Sequence, residues 1–221
     1  MTEVRDILIN RLWAGRDPLA NAPRYLERAD PQGWGANHPY LTDMISELRP
    51  QLVVEVGVWK GASTLVMAER MQRLGIPGVV LAVDTWLGSW DIWLQPNWFA
   101  DLHIEDGYPT LYQTFLGNVA TAGLADYVVP LPLDSQSAAQ LLRHCGIGQV
   151  DLVHIDAGHD YDAVASCLRA WWPMVRRGGV LIGDDYCPDS GAWPDVVKCF
   201  DDYFGRERIE SKTHKCLIRQ K

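Results

Sequence analysis

"QLVVEVGVWKGASTLVMAERMQRLG", Gln51 to Gly75, changes its hydrophobic period part-way along. Leu52 to Val56 is a near-continuous apolar run of the length of a buried strand. Leu65, Met67, Ala68 and Met71 then recur at helical spacing until Gly75 stops the pattern. A strand, a glycine-bearing loop and a helix in that order form the opening of a βα unit, and the rest of the chain repeats it. "GVVLAVD" (78–84), "YVVPLPLD" (127–134), "VDLVHID" (150–156) and "VLIGDD" (180–185) read as further strands, with helical stretches between them. "RIESKTHKCLIRQ" (208–220) offers one or two closing strands. Strands alternating with helices of this length build an open, mostly parallel sheet covered on both faces, a Rossmann-like α/β fold.

Composition sets outer bounds. A chain of 221 residues, 48% hydrophobic and 22% charged, has room for one sizeable core. We expect a helical cap over residues 1–36, a main domain over 37–221, and a lid-like insertion around 85–110. The net charge of -8, with no clustered Lys and Arg, argues against nucleic acid as a partner. Five scattered cysteines without metal or redox spacing fit reduced thiols, and no apolar run reaches membrane-spanning length. The expectation is a soluble cytoplasmic protein acting on a small molecule, with a homo-oligomer possible because of its ten tryptophans.

In such sheets ligands bind at the carboxyl ends of the strands. The polar residues gather there: Glu55 to Gly61, Asp84, Asp134 with Ser135, Asp156 to His159, and Asp184 with Asp185. Gly57 and Gly61 stand in the loop where a dinucleotide fingerprint would lie, but Trp59 occupies the place where its middle glycine would let the backbone approach a pyrophosphate. That disfavours an NAD-dependent oxidoreductase. Acids at successive strand ends suit a cationic sulfonium cofactor such as S-adenosylmethionine, with Asp84 accepting ribose hydroxyls and Asp134 and Ser135 reading the adenine edge. Asp134 and Ser135 read equally as the start of a helix, and Glu55 as a satisfied polar residue.

"VVEVGVWKGAST", "LAVDTWLGS" and "VDLVHIDAGHDYDAVASCLRAWWPMVRRGGVLIGDDY" resemble the class I S-adenosylmethionine-dependent methyltransferases. They are most similar to the metal-dependent O-methyltransferases of natural-product sugars and to the cephalosporin-hydroxylase-like group. The likeness runs from about Gly33 to the C-terminus and is indistinct over 1–32 and 87–110. It implies a seven-stranded sheet, transfer of a methyl group to a hydroxyl of a small polyhydroxylated molecule, and a cofactor site holding Glu55, Gly57, Gly61, Ser63, Asp84, Asp134 and Ser135. Trp86, two residues past Asp84, is placed to cover the adenine, with core packing the competing role.

Asp156, Asp184 and Asp185 end neighbouring strands on this reading. Clustered oxygen ligands favour Mg²⁺ over zinc, and the resemblance implies the same three as metal ligands. His159 matches the proposed general base. The start of the following helix should keep its imidazole neutral. Asp160 is expected to cap that helix, Asp162 to lie solvated in its first turn, and His154 to be a satisfied core histidine. A non-catalytic cofactor-binding scaffold is the remaining alternative.

Overall fold

The computed structural model describes residues 3–221. Its main sheet has seven strands: β1 (Leu52–Val56), β2 (Val79–Val83), β5 (Val128–Leu131), β6 (Val150–Ile155), β7 (Val175–Gly183), β8 (Glu210–Lys212) and β9 (Lys215–Arg219). Their spatial order is β5-β2-β1-β6-β7-β9-β8, parallel as far as β7 and antiparallel from β7 through β9 to β8. The expected α/β architecture is therefore present. The C-terminal tail supplies two strands that close the sheet as a hairpin. Pro130, which cannot donate to a ladder, sits in β5 at the opposite edge.

Side chains alternate across a strand, and here the two faces carry separate cores. Val54, Val56, Leu81, Val83, Val153 and Leu181 point to the face covered by α1 (Glu3–Trp13), α7 (Ser135–His144), α8 (Tyr161–Trp171) and α9 (Pro194–Phe204). Val53, Val80, Ala82, Leu152, Ile182 and Leu217 point to the other, covered by α2 (Pro39–Leu48), α3 (Ala62–Arg73) and α6 (Leu111–Ala122).

On that second face the alternation delivers polar residues at the carboxyl ends. Glu55 is two residues beyond Val53, His154 two beyond Leu152, Asp184 two beyond Ile182, and Lys215 two before Leu217 on antiparallel β9. Glu55 pairs in register with His154. A row of four ionisable side chains thus crosses β1, β6, β7 and β9.

The segment 85–110 is more ordered than its sequence suggests. It holds two short helices, α4 (Trp90–Leu94) and α5 (Pro96–Asp101), and a small hairpin, β3 (Ile104–Glu105) with β4 (Tyr108–Pro109). Lys60, fully buried, anchors it: the ammonium donates to Asp101 of α5 at 2.9 Å and to Asp30 of the N-terminal segment at 2.5 Å. No described helix is long and apolar enough to cross a membrane.

Candidate active site

The strand ends are held together by ladder bonds that continue past the strands proper. Gly57 donates to Val83 O at 3.0 Å, Asp156 to Val56 O at 2.8 Å, and Asp184 to Ile155 O at 2.9 Å. Beside them opens a cavity of about 610 Å³, walled by Gly57 to Trp59, Ser63, Asp84, Leu133 to Ser135, Asp156 to His159, Asp184, Asp185 and Trp193. Trp34, Trp98 and Ile92 complete it from the N-terminal segment and the insertion.

Gly57 is essential to this geometry. Its φ is +84°, and a Cβ there would lie 1.8 Å from the Asp156 carbonyl oxygen, so no other residue lets β1 and β6 end so close together. The loop that follows is pinned by Asp84. Its Oδ2 accepts from Val58 N at 2.7 Å and Trp59 N at 2.9 Å, and its Oδ1 from Trp86 N at 2.7 Å. Burial pushes the Asp84 carboxyl above its ordinary range despite those three N–H donors.

Four of the expected cofactor residues have roles set by the fold. Glu55 is fully buried and does not reach the cavity; it accepts from Ser63 Oγ at 2.5 Å, from Thr64 Oγ1, and pairs with His154 Nδ1 at 2.9 Å. Its position in the inward row of β1, which strand spacing alone does not reveal, explains the difference. Gly61 packs its backbone against the Phe115 ring, where a Cβ would come within 2.7 Å, and is not a cavity wall. Trp86 is 1% exposed, packed on Tyr112 and Phe115, with Nε1 donating to Trp59 O at 2.8 Å. Its ring is core, not cavity wall, and its backbone has a positive φ of 53°. Ser135 lines the cavity, yet its hydroxyl is engaged from the core side by Trp171 Nε1 at 3.0 Å and Cys167 Sγ at 3.1 Å. Its Oγ accepts from both, which leaves the hydroxyl proton and the main chain to meet a ligand.

Asp134 is the N-cap of α7. One carboxylate oxygen accepts from Gln136 N at 3.0 Å and Ser137 N at 2.9 Å, and the Ser137 contacts hold the acid below its usual range. Asp160 caps α8 by accepting from Ala163 N at 2.9 Å, as its sequence position suggests.

Two overlapping groups of ionisable atoms, each within 4.8 Å, occupy the far end of the cavity: His154, Asp156 and Asp184, and Asp156, His159 and Asp185. They are not equivalent. The first already contains a cation, since fully buried Lys215 forms an ion pair with Asp184 Oδ2 and lies 3.4 Å from His154 Nε2. Lysine has only donors, so His154 accepts through Nε2 and donates Nδ1–H to Glu55. Although burial pushes Asp184 up, the Lys215 ammonium beside it holds it below the ordinary carboxylate range. Asp156 has no cation of its own. Burial and the Asp184 charge beside it push it well above that range.

Asp156 and Asp185 are therefore the two carboxylates of the group without a lysine partner. Their carboxylate oxygens fit a hard divalent cation, with Asp184, already paired with Lys215, contributing less freely than the two others.

His159 lies between two carboxylates. Its Nε2 is 2.9 Å from Asp185 Oδ2, its Nδ1 is 3.5 Å from Asp91 Oδ2, and its ring stacks on Trp193 with centroids 3.9 Å apart. Burial lowers its pKa, but the two acids together raise it above the ordinary histidine value. The expectation of a helix-depressed, neutral imidazole is thus reversed: full carboxylate charges at contact outweigh the partial charge of a helix end already capped by Asp160.

Asp91, Trp193 and Lys215 had escaped attention in the sequence. Lys215 carried a signal, because in "KCLIR" it shares the inward face with Leu217. Asp91 carried none, arriving from an insertion without periodicity.

Comparison with known proteins locates this arrangement. A family model described as a methyltransferase domain matches residues 54–186, more than half of the chain. The chain belongs to this methyltransferase family. The matched span of the methyltransferase runs from β1 to just past Asp185 and contains most of the cavity's strand-end residues. A curated relative, catechol O-methyltransferase B of Danio rerio, is 26% identical over 160 residues, which is 72% of this chain and 51% of the relative. The methyltransferase thus spans about half the length of that relative. Among solved structures, the O-methyltransferase TomG from Streptomyces achromogenes, in complex with SAM, shares the fold with TM-score 0.59 at 15% identity, over 100% of each chain. CalS11, a TDP-rhamnose 3'-O-methyltransferase of calicheamicin biosynthesis, does so with TM-score 0.56 at 13% identity, over 81% of this chain and 76% of its own.

Proposed function

We propose that the protein transfers the methyl group of S-adenosylmethionine to a hydroxyl of a small polyhydroxylated acceptor, a sugar in the first instance, with Mg²⁺ or a similar divalent cation bound at Asp156 and Asp185. The observation that carries the reading is one cavity joining a glycine-shaped strand-end half, Gly57 to Asp134, to an acidic half with a histidine at its edge. The first half suits an uncharged nucleoside with a sulfonium tail: Asp84 presents a carboxylate to ribose hydroxyls, and the Ser135 main-chain N–H, at the first position of α7, has no intrahelical partner and can meet the adenine edge. The bound cation would supply electrostatic polarisation of the acceptor oxygen.

This chain's residues do the rest. His159 takes the acceptor's hydroxyl proton as the oxygen forms its bond to the methyl carbon. The carbon–sulfur bond breaks with its electron pair going to sulfur, so the sulfonium becomes the neutral thioether of S-adenosylhomocysteine. Alignment of oxygen, carbon and sulfur by the cavity walls supplies much of the acceleration, since the leaving group is already activated. Trp34 and Trp98, with ring centroids 5.9 Å apart and both on the cavity wall, offer an aromatic surface for the apolar face of a sugar ring.

The test is methyl transfer from labelled S-adenosylmethionine to a panel of sugars, nucleotide sugars and catechols. Transfer to a sugar that EDTA abolishes and Mg²⁺ restores is expected. Undiminished transfer in EDTA would remove the cation from the reading, and transfer to catechols alone would replace the acceptor.

A further inference from the structure

The aromatic wall of the cavity is assembled from three separate segments, and all three meet at two consecutive residues of the β1–α3 loop. Trp34 belongs to the N-terminal segment, Trp98 to α5 of the insertion, and Trp59 to the loop itself. The Trp34 ring lies 5.9 Å from each of the other two, centroid to centroid. Lys60 follows Trp59, and its fully buried ammonium joins the outlying segments, to Asp30 at 2.5 Å and to Asp101, the last residue of α5, at 2.9 Å. A second polar node backs the first. Asn118 of α6 accepts from Asp30 N at 2.7 Å and donates to the Asp30 and Lys60 carbonyl oxygens at 2.8 Å each. Gln32 Oε1 accepts from Trp59 Nε1 at 3.2 Å. A buried ammonium is satisfied only while its carboxylates stay in place, so displacing either segment leaves part of its charge unpaired.

The same loop borders the cofactor half. Val58 N and Trp59 N donate to Asp84 Oδ2, while Asp84 Oδ1 accepts from Trp86 N at the root of the insertion. Trp86 Nε1 returns to Trp59 O at 2.8 Å. The insertion is thus tied to the loop at its root through Trp86 and at the end of α5 through Asp101. Trp59 has a left-handed backbone, φ 54°, which a bulky residue adopts only where its surroundings enforce it. Asp84 on its N–H and Trp86 on its carbonyl oxygen do so here. A ligand resting on Gly57 to Trp59 and hydrogen-bonded to Asp84 orders the stretch that places Lys60.

We propose that Lys60 is a positioning residue that couples the two halves of the cavity: S-adenosylmethionine, by ordering Val58 to Lys60, holds Asp30 and Asp101 and with them the Trp34 and Trp98 walls that receive the acceptor. This rests on the proposed seat of the cofactor at Asp84 and extends it to how each ligand prepares the site of the other. Lys60 is not itself a wall of the cavity, so its effect on either ligand passes through protein alone. Such coupling is reciprocal: the factor by which cofactor raises the affinity for acceptor is the factor by which acceptor raises the affinity for cofactor.

Hydrogen–deuterium exchange of the full chain, with and without saturating S-adenosylhomocysteine, reads the coupling without turnover. In the wild type, exchange should slow at 57–61, where the ligand rests, and by on the order of tenfold at 29–36 and 90–102 as well. In Lys60→Met the protection at 57–61 should remain while that of both outlying segments is lost. Asp101→Ala, a milder change that leaves Lys60 paired with Asp30, should lose the response over 90–102 alone. Protection confined to 57–61 in the wild type overturns the proposal. So does protection of the outlying segments that survives both substitutions, as direct contact with the ligand would give. Calorimetry supplies a readout that general loosening of the fold does not move. An acceptor from the panel above should raise the wild-type affinity for S-adenosylhomocysteine by on the order of tenfold, and that factor should fall toward one in Lys60→Met. An undiminished factor in the variant would refute the coupling. No exchange response in any segment would remove the cofactor reading itself, and the coupling with it.

Discussion

Asp156 and Lys215 show how differently two neighbouring ionisable groups can be managed. The raised pKa of Asp156 means that its neutral form is favoured in the folded chain. Its stabilising contribution is complete below the unfolded carboxylate value, about 3.9, and is lost as pH rises through the higher folded value. At pH values above the unfolded one, without a cation, Asp156 is a net cost. Asp156→Asn should therefore raise the melting temperature in EDTA, with a gain that widens from mildly acidic to neutral pH. About 1 kcal/mol moves Tm by roughly 2–4 °C in a protein of this size. The same variant should lose the stabilisation by Mg²⁺ expected of the wild type, which differential scanning fluorimetry in both conditions would read. Lys215 behaves oppositely, as the compensating charge itself. Lys215→Met leaves Asp184 buried and unpaired, and unfolding in urea should show a loss of about 3–5 kcal/mol. Adding Asp184→Asn should recover a large part of it. An equal loss with and without that second change would assign the cost to packing.

At the scale of elements, the insertion and the helix starts carry the separable functions. Lys60→Met fills the same volume while freeing Asp101 and Asp30, both partly exposed and able to hydrate. The main sheet should stay intact while limited proteolysis between residues 86 and 110 accelerates. Unchanged cleavage would mean that the Lys60 ion pairs do not hold the insertion down. Asp134→Ala should cost about 0.5–2 kcal/mol through the lost cap of α7. Isothermal titration with S-adenosylhomocysteine then asks whether Asp134 also touches the cofactor. Elements were the most legible level of this sequence. The apolar runs at 52–56, 79–83 and 150–155 are strands because they are too short and too continuously apolar for helices, and glycines close the helices between them. The insertion was not legible. Its helices, of five and six residues with no buried side chain, have no periodicity to show.

For the molecule as a whole, ligand linkage is the most economical check of the site. S-Adenosylhomocysteine at about a hundred times its dissociation constant should stabilise the fold by roughly 2.7 kcal/mol, whereas NAD should leave the melting temperature unchanged. Stabilisation by NAD alone would return the chain to the dinucleotide reading that Trp59 argues against. At this scale, sequence reasoning located the strand ends that meet at the cavity, because a parallel sheet gathers them whatever the loops do. It placed Glu55, Gly61 and Trp86 at the cofactor, whereas none of them lines the cavity, because proximity in sequence to a strand end does not say whether a side chain faces the crevice or the core. It overlooked Lys215 and Asp91, because only the antiparallel β9 and the docked insertion bring them within reach. The row formed by Glu55, His154, Lys215 and Asp184 also has a consequence for descent. Each member satisfies the next across four strands, so replacing one strands a buried charge or donor on its neighbour, and a lineage can pass through such a state only briefly. In a large family alignment these four positions should change together or not at all, and a relative that has lost the lysine of β9 should have altered its histidine or glutamate as well.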